Sequence, residues 1–286
     1  MKKIKIQNKT LNSLYPILIG NRVLNNVANI AKSFCPKTNK IGIIYDINVP
    51  SKFLKILKDK FKKFPLKLIF FNPSEKNKSL KSVNSILGKL LKFNLNRNDL
   101  IISVGGGITG DVSGFVASVY KRGVNYFSIP TTLLAMVDSS IGGKTGVNSD
   151  YGKNSIGSFY QPKLVLVDSV FLKSLDKRQM ICGYAEILKH AIIKNKNFFN
   201  WLKYNSKRIF LKEDSNGVVL KAIIKSCLIK SKIVSKDFQE KNLRMILNFG
   251  HTFAHAIETE NKYSNKINHG EAVLMGILIA TTFSIA

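Results

Sequence analysis

The chain has 286 residues, of which 45% are hydrophobic and 10% aromatic, a composition that excludes an intrinsically disordered protein. Its 45 lysines and arginines against 17 acidic residues give a formal net charge of +28, which first suggests a nucleic-acid partner. Only six of these cations are arginines, the residue that base-reading proteins favour. Lysine, asparagine and isoleucine, all abundant here, have A/T-rich codons. We therefore attribute the charge to biased composition and expect no nucleic-acid partner.

Five short segments rich in β-branched and aromatic residues predict strands at residues 41–45, 67–71, 100–104, 124–129 and 164–167. Helical segments such as residues 51–63 and 79–92 separate them. After residue 172 the strand signal fades, and helices are predicted at residues 178–202, 218–234, 243–260 and 271–286. The fold class is therefore α/β: a Rossmann-like, mainly parallel sheet domain at residues 1–172 is followed by an all-helical domain at residues 173–286.

Cysteine usage and hydropathy indicate the compartment. The cysteines, Cys35, Cys182 and Cys227, are odd in number and form no C-x-x-C pair, so reduced thiols and a cytoplasmic location are predicted. The charged amino terminus leads into no apolar segment of the kind that a secretory signal contains. The longest apolar run, residues 272–286, has 15 residues, whereas about 20 are needed to span a bilayer. It predicts a core helix, and no membrane partner is expected.

A glycine-rich segment follows the predicted strand at residues 100–104. Residues 105–111 read Gly-Gly-Gly-Ile-Thr-Gly-Asp, which matches the G-x-G-x-x-G pattern of a loop that lets a pyrophosphate approach the backbone at a helix N-terminus. The acidic residue expected about 20 positions later is absent, but Asp46 ends an earlier strand and is a possible ribose-binding acid. A tight strand-to-helix turn is the alternative interpretation.

Residues 130–148 are dense in threonine, serine and glycine and contain Lys144 behind two glycines. This composition after a strand predicts a phosphate-binding loop, in which Lys144 would reach a phosphate or a carboxylate as a point charge. A solvated polar loop is the alternative.

Three of the four histidines, His251, His255 and His269, fall within 19 residues. His251 and His255 are one helical turn apart, on one face of a predicted helix. Glu186 lies on an earlier predicted helix. A lone histidine is usually structural, but one glutamate and two histidines from three helices form the ligand set of an open catalytic zinc site.

Taken together, these segments resemble 3-dehydroquinate synthases, which belong to the sugar phosphate cyclases. The matching motifs are collinear from about residue 40 to the last residue. They are Gly-Gly-Gly-Ile-Thr-Gly-Asp at 105–111, Tyr-Lys-Arg-Gly at 120–123, Pro-Thr-Thr-Leu-Leu at 130–134, Val-Asp-Ser-Ser-Ile-Gly-Gly-Lys at 137–144, Gly-Lys-Asn at 152–154, Phe-Tyr-Gln-Pro at 159–162, Ala-Glu at 185–186, Leu-Asn-Phe-Gly-His-Thr-Phe-Ala-His at 247–255 and His-Gly-Glu at 269–271.

The resemblance implies an enzyme of the shikimate pathway that converts 3-deoxy-D-arabino-heptulosonate 7-phosphate into 3-dehydroquinate and phosphate. It implies NAD, which takes a hydride and returns it, and a divalent metal, zinc or cobalt. The ketone formed transiently promotes phosphate elimination, and an intramolecular aldol step closes the ring. The substrate is thus a small sugar phosphate. A homodimer is also implied, with Arg122 reaching the neighbouring subunit's site.

The resemblance also assigns roles to individual residues. It implies Glu186, His251 and His269 as metal ligands and His255 as the proton shuttle. Lys144, Lys189, Arg244 and Asn248 are implied as further catalytic residues, and Arg122, Asp138, Asn154 and Lys230 as substrate-binding residues. The cofactor-binding residues implied are Asp46, Asn48, Glu75, Lys78, Gly105, Gly106, Gly107, Ile108, Thr109, Gly110, Asp111, Thr131, Thr132, Lys144, Lys153, Phe171, Leu172, Lys173 and Ser174.

Three features depart from the family's pattern. Residues 73–75 read Pro-Ser-Glu where Gly-Glu is usual, and Ala254 stands for a glycine between the two histidines. Family members also continue for several tens of residues beyond the helix that starts with His-Gly-Glu, so we expect a fragment or a shortened gene. The alternatives that remain open are another sugar phosphate cyclase, a metal-dependent polyol dehydrogenase of the same architecture, and an inactive remnant or basic binding protein.

Overall fold

The computed structural model describes residues 1–8, 13–212, 217–261 and 267–285. The strands are β1 (Lys2–Asn8), β2 (Ser13–Gly20), β3 (Ile41–Asp46), β4 (Leu66–Phe71), β5 (Leu100–Gly105), β6 (Asn125–Pro130), β7 (Lys144–Ser149), β8 (Gly152–Phe159) and β9 (Leu164–Asp168). The α-helices are α1 (Val27–Phe34), α2 (Ser51–Lys60), α3 (Leu80–Lys92), α4 (Gly107–Val119), α5 (Lys177–Lys194), α6 (Lys196–Phe210), α7 (Val218–Lys236), α8 (His251–Glu260) and α9 (His269–Phe283).

A seven-stranded sheet has the order β1-β2-β9-β6-β5-β3-β4. Only β1, which pairs with β2, is antiparallel; the other neighbours run parallel. The central strands β3, β5 and β9 are buried at every position, as expected of a parallel sheet covered on both faces. The α/β class with a mainly parallel sheet and a helical C-terminal region is confirmed.

All five predicted strands are present, and the described residues contain four further strands that were not predicted. In β1, lysines alternate with Ile4 and Ile6, whose side chains are buried, so this strand carries a period of two that could have been recognised. The hairpin of β7 and β8 has no such pattern, because β8 is polar and mostly exposed.

Two predicted helices are each divided. The one predicted at residues 178–202 separates into α5 and α6 at Asn195, whose side chain accepts a hydrogen bond from the Phe198 backbone N–H and so begins α6. The one predicted at 243–260 separates into a 3₁₀ helix, Leu243–Asn248, and α8. Gly250, between them, has φ +79° and lies so close to α9 that a Cβ would meet the Gly276 carbonyl carbon at 3.0 Å.

One apolar core joins the sheet to the C-terminal helices. It contains Phe127 and Leu166 from the strands together with Ile187 of α5 and Ala222 and Ile223 of α7. The domain boundary at residues 172/173 stays a prediction, and the chain there forms a 3₁₀ helix, Ser169–Ser174. Helix α9 coincides with the predicted apolar helix, although Ala286 lies outside the described residues. The prediction of a core helix was wrong in part, because Val273 and Ile277 are buried whereas Leu278 and Phe283 are exposed. Within the ranges that the structure describes, no helix combines the length and the apolar character needed to cross a membrane.

Candidate active site

A cleft of about 550 Å³ separates the β7–β8 hairpin and the turn after β6 from the C-terminal helices. Clefts at the carboxyl ends of parallel strands are the usual ligand sites of α/β folds. Many of the predicted site residues line this cleft: Asp111, Asp138, Lys144, Asn154, Lys189, Lys230, Arg244, Asn248 and His251. The structure therefore brings residues from distant parts of the chain to one place.

The glycine loop joins β5 to α4, as the motif predicted. The Asp46 carboxylate, at the end of β3, accepts hydrogen bonds from the Gly106 backbone N–H at 3.3 Å and the Thr109 hydroxyl at 3.1 Å. A Cβ on Gly105 would lie 2.6 Å from Thr109 and 2.7 Å from Asp46. Asp46 thus holds the loop in place, with the N-terminus of α4 behind it, an arrangement suited to a pyrophosphate.

The turn after β6 packs against this loop. The Thr131 backbone N–H donates to the Gly105 carbonyl at 2.9 Å, and the Thr132 methyl lies 3.2 Å from where a Gly106 Cβ would be. A loop conformation was predicted for residues 130–148, and this part of the prediction was wrong. Residues Ala135–Ser139 form a π-helical turn and Lys144 begins β7, because the segment pairs with β8 and packs against α4.

A buried lysine connects the predicted cofactor residues with the hairpin. Lys78 Nζ lies 2.6 Å from Asp111 Oδ2 and 2.5 Å from Asn154 Oδ1. Glu75 accepts a hydrogen bond from the Asn148 side chain at 2.8 Å. Burial raises the pKa of Asp111, and the Lys78 ammonium opposes that shift. The predicted contacts to cofactor and to substrate therefore share one polar network.

Three helices supply the predicted metal ligands. Glu186, in the middle of α5, is buried, and His251 and His269 are the first residues of α8 and α9. One ligand atom from each lies within 4.8 Å of the others, and His251 Nε2 is 3.9 Å from Glu186 Oε1. Burial lowers the pKa of His251 to about 3, so its imidazole is neutral and able to ligate. A carboxylate and two imidazoles at this separation fit a zinc or cobalt ion.

Buried cations converge beside these ligands. Lys189 Nζ lies 2.5 Å from Glu186 Oε2, and the Lys230 ammonium pairs with Asp138. Burial alone would raise the pKa of Asp138, but the charges of Lys230 and Lys189 lower it far below its usual value. Lys144 is more exposed, with 52% of its side chain accessible, and its partial burial, together with the charges of Arg244 and Lys230, lowers its pKa to about 8. This concentration of positive charge suits an anionic ligand.

Two residues of the site were missed by the sequence reasoning. Glu240 pairs with Lys144 and accepts a hydrogen bond from the Asn248 side chain at 3.1 Å, but no motif marks it. His190 is fully buried, with Nδ1 2.7 Å from the Ser226 hydroxyl and Nε2 3.9 Å from Asp138 Oδ1. In the sequence His190 directly follows Lys189, a predicted site residue, and this position could have indicated it.

The structure does not bring every predicted residue to the cleft. The side chains of Phe171 and Leu172 are buried in the core, where the Phe171 ring lies 4.3 Å from that of Phe53, so only their backbone could contact a cofactor. Arg122 is exposed outside the residues that line the cleft. Five further predicted residues are exposed and are not among those that line the cleft: Asn48, Lys153, Lys173, Ser174 and His255.

Comparisons with known proteins bear on these predictions. The family models of the N-terminal and C-terminal regions of 3-dehydroquinate synthase match residues 68–182 and 183–286. The 3-dehydroquinate synthase of Pelagibacter ubique is 52% identical over 285 residues, which cover 100% of this chain and 77% of the relative. Two solved synthases are similar at 29% identity. A 2-deoxy-scyllo-inosose synthase complexed with carbaglucose-6-phosphate, NAD⁺ and Co²⁺ has a TM-score of 0.82 and is matched over 96% of this chain and 75% of that one.

The second of the two similar solved synthases is the 2-epi-5-epi-valiolone synthase of Streptomyces hygroscopicus, with NAD⁺ and Zn²⁺ bound. Its TM-score is 0.83, and the match covers 92% of this chain and 72% of that one. The chain thus spans about three quarters of the length of these relatives.

Proposed function

The chain belongs to the 3-dehydroquinate synthase family, and from this premise we propose that it converts 3-deoxy-D-arabino-heptulosonate 7-phosphate into 3-dehydroquinate and phosphate. It is a cyclising lyase of the shikimate pathway, which supplies aromatic amino acids. The observation that carries the proposal is the meeting of Glu186, His251 and His269 beside a cation-lined cleft next to a glycine loop. That combination suits a phosphorylated, hydroxylated acid.

The cofactors are NAD and a zinc or cobalt ion. When bound, NAD supplies a reversible hydride acceptor, and the metal supplies a Lewis acid that acidifies a hydroxyl and polarises a ketone. The glycine loop at 105–110, Thr131, Thr132 and Lys78 would hold NAD. Glu186, His251 and His269 would hold the metal.

The other residues of the cleft bind and orient the substrate. Lys144, Lys230 and Arg244 supply charge for its carboxylate and phosphate groups, and charge-assisted hydrogen bonds to such groups are about twice as strong as neutral ones. Asp138 is ionised beside Lys230 and accepts a hydrogen bond from a substrate hydroxyl. His255, one turn from His251 with ring centroids 5.5 Å apart, moves a proton at the substrate.

The assembly and location follow from the same proposal. The protein is a homodimer in the cytoplasm, and Arg122 completes the site of the partner subunit. Arg122 is exposed and has φ +61°, directly after Lys121 with φ +46°. Two successive left-handed residues outside glycine are energetically unfavourable, and a contact made by Arg122 in an assembly would explain why they persist.

The activity of another sugar phosphate cyclase is the second candidate, because the two similar solved structures are synthases with bound NAD⁺ and a divalent metal. The identity of 52% with a 3-dehydroquinate synthase, against 29% with those two, favours the dehydroquinate product. Identification of the product by mass spectrometry separates the two.

The test is release of inorganic phosphate from the heptulosonate phosphate in the presence of NAD and Zn²⁺. We expect Glu186→Gln to reduce the rate at least about a thousandfold, since a metal Lewis acid contributes several kcal/mol to the barrier. Glu260→Gln, at the exposed end of α8, removes the same charge away from the ligands and should act like the parent protein. Equal release by Glu186→Gln and the parent would overturn the metal role, and no release by the parent would overturn the activity.

A further inference from the structure

Helix α8 carries an acidic residue that faces the ligand on the neighbouring helix. Glu258 Oε1 lies 3.2 Å from His269 Nδ1, and the Glu258 side chain is 13% exposed. Glu258 is two turns beyond His251 on the same helix, so α8 contributes both a candidate ligand and the partner of another. The contact therefore lies immediately outside the predicted metal site.

This contact determines which nitrogen of His269 is available. With Nδ1 engaged by Glu258, Nε2 is the ring nitrogen that remains available to bind a metal. His251 shows the same arrangement, because its Nδ1 lies 3.5 Å from the Phe249 carbonyl while its Nε2 lies 3.9 Å from Glu186 Oε1. Both imidazoles thus direct Nδ1 toward an oxygen acceptor. The acceptor near His251 is a neutral carbonyl, whereas the acceptor near His269 is the Glu258 carboxylate.

We infer that Glu258 is a positioning residue for the metal site. It accepts a hydrogen bond from His269 Nδ1–H, fixes the tautomer and the ring orientation of His269, and makes Nε2 a stronger donor to the metal. Carboxylate partners of ligating histidines commonly act in this way. The inference rests on the proposed ligand set of Glu186, His251 and His269.

A purely structural role is the competing explanation. Glu258 could serve only to connect α8 with α9, whose contact also includes the close approach of Gly250 to Gly276. The charge of Lys153, from the β7–β8 hairpin, also acts on Glu258. A structural connection predicts a loss of stability without metal but unchanged metal affinity in the folded variant, whereas a positioning role predicts weaker metal binding.

The experiment measures the Kd of the metal-free protein for Zn²⁺ by competition with a chromophoric chelator, without NAD or substrate. Glu258→Ala should weaken Zn²⁺ binding by about 10–100-fold. Glu258→Gln, which retains a neutral acceptor, should lie between Glu258→Ala and the parent. Glu260→Ala, which removes an exposed carboxylate two residues away, should leave the Kd unchanged. Thermal unfolding of each metal-free variant shows whether it is folded.

A Kd for Glu258→Ala within about twofold of the parent would overturn the inference. If Glu258→Ala does not fold, the Kd of Glu258→Gln for Zn²⁺ is the deciding measurement. A Kd equal to that of the parent would then overturn the inference. Glu186→Gln is the reference for the ligand set. If Glu186→Gln binds Zn²⁺ as the parent does, the proposed ligand set is wrong, and that failure is distinct from a failure of Glu258 alone.

Discussion

The glycine loop beside the cleft offers backbone groups to its ligand, whereas the helical side of the cleft presents charged side chains. On the sheet side, the glycine loop is held by Asp46 and by the Thr131 backbone, and the space around Gly105 is filled. On the helical side, Glu186 and Lys189 are almost completely buried, and each compensates the charge of the other. Ligand binding at the glycine loop therefore depends on available volume and backbone conformation, and ligand binding on the helical side depends on charge balance.

This contrast explains why a single cleft can hold two chemically different cofactors. A dinucleotide pyrophosphate requires close approach to backbone N–H groups, which glycines permit. A divalent metal and an anionic substrate require ligands and cations whose burial must be offset by partners. A substitution at the glycine loop should therefore act through steric overpacking, and a substitution on the helical side through an uncompensated buried charge.

The largest effect is expected from the charge balance of the helical side. Lys189→Met leaves the buried Glu186 carboxylate without its ammonium neighbour and should lower the free energy of unfolding by about 3–5 kcal/mol. Because Zn²⁺ would replace the missing positive charge, adding it should restore part of that loss. Denaturant unfolding with a chelator and with Zn²⁺ measures both values. Unchanged stability in chelator would show that the pair contributes no charge compensation.

On the sheet side, Gly105→Ala should weaken NAD binding and destabilise the fold by about 1–3 kcal/mol, the usual effect of overpacking. The added methyl would lie 2.6 Å from the Thr109 Cβ, so the loop must move. Isothermal titration with NAD and denaturant unfolding are the measurements.

Gly88→Ala is the matched control for this substitution. Gly88 lies within α3, where a Cβ would have nothing within 4 Å, so alanine should stabilise the helix by about 0.5–1 kcal/mol with NAD affinity unchanged. If Gly105→Ala behaves as Gly88→Ala does, the loop is not constrained as described.

The smallest expected effect is a dependence on pH. Burial and the charges of Arg244 and Lys230 lower the pKa of Lys144 to about 8. The ammonium form, which can bind an anion, is therefore present below that pH and is lost above it. We expect kcat/KM, which reports the free enzyme, to fall up to about tenfold per pH unit on the alkaline side. A series of initial rates across pH measures it.

Lys144→Arg separates this titration from others in the cleft, because a guanidinium stays protonated throughout the range. The variant should lose the alkaline decline even if its overall rate is lower. A decline at the same pH in Lys144→Arg would assign the titration to a different group.

The sequence predicted five strands of the seven-stranded sheet, because strands such as β5 are continuous apolar runs with turn residues at their ends. Residue type also indicated the glycine loop, and helical spacing paired His251 with His255. The assignment of Glu186, His251 and His269 as the ligand set came from the resemblance to the 3-dehydroquinate synthases. The polar hairpin of β7 and β8 was missed because its pairing depends on packing against α4 rather than on a local pattern.

Interactions between distant segments were beyond sequence reasoning. Glu240 reaches Lys144 from a turn with φ +58°, and Glu258 reaches His269 from another helix. Neither has a spacing signature, because the partners meet only when α8, α9 and the hairpin have packed. Gly250 divides a predicted helix at a φ of +79°, a conformation that glycine permits, but its close contact with α9 could not be inferred from the sequence.

The proposed reaction is a cyclising elimination in which the hydride taken by NAD is returned. The most direct measurement follows phosphate release and NADH absorbance together in one reaction with the heptulosonate phosphate, catalytic NAD and Zn²⁺. We expect many equivalents of phosphate and 3-dehydroquinate per NAD, with no net accumulation of NADH. NADH that rises in proportion to substrate consumed, without phosphate release, would rule out the cyclising elimination and identify a dehydrogenase.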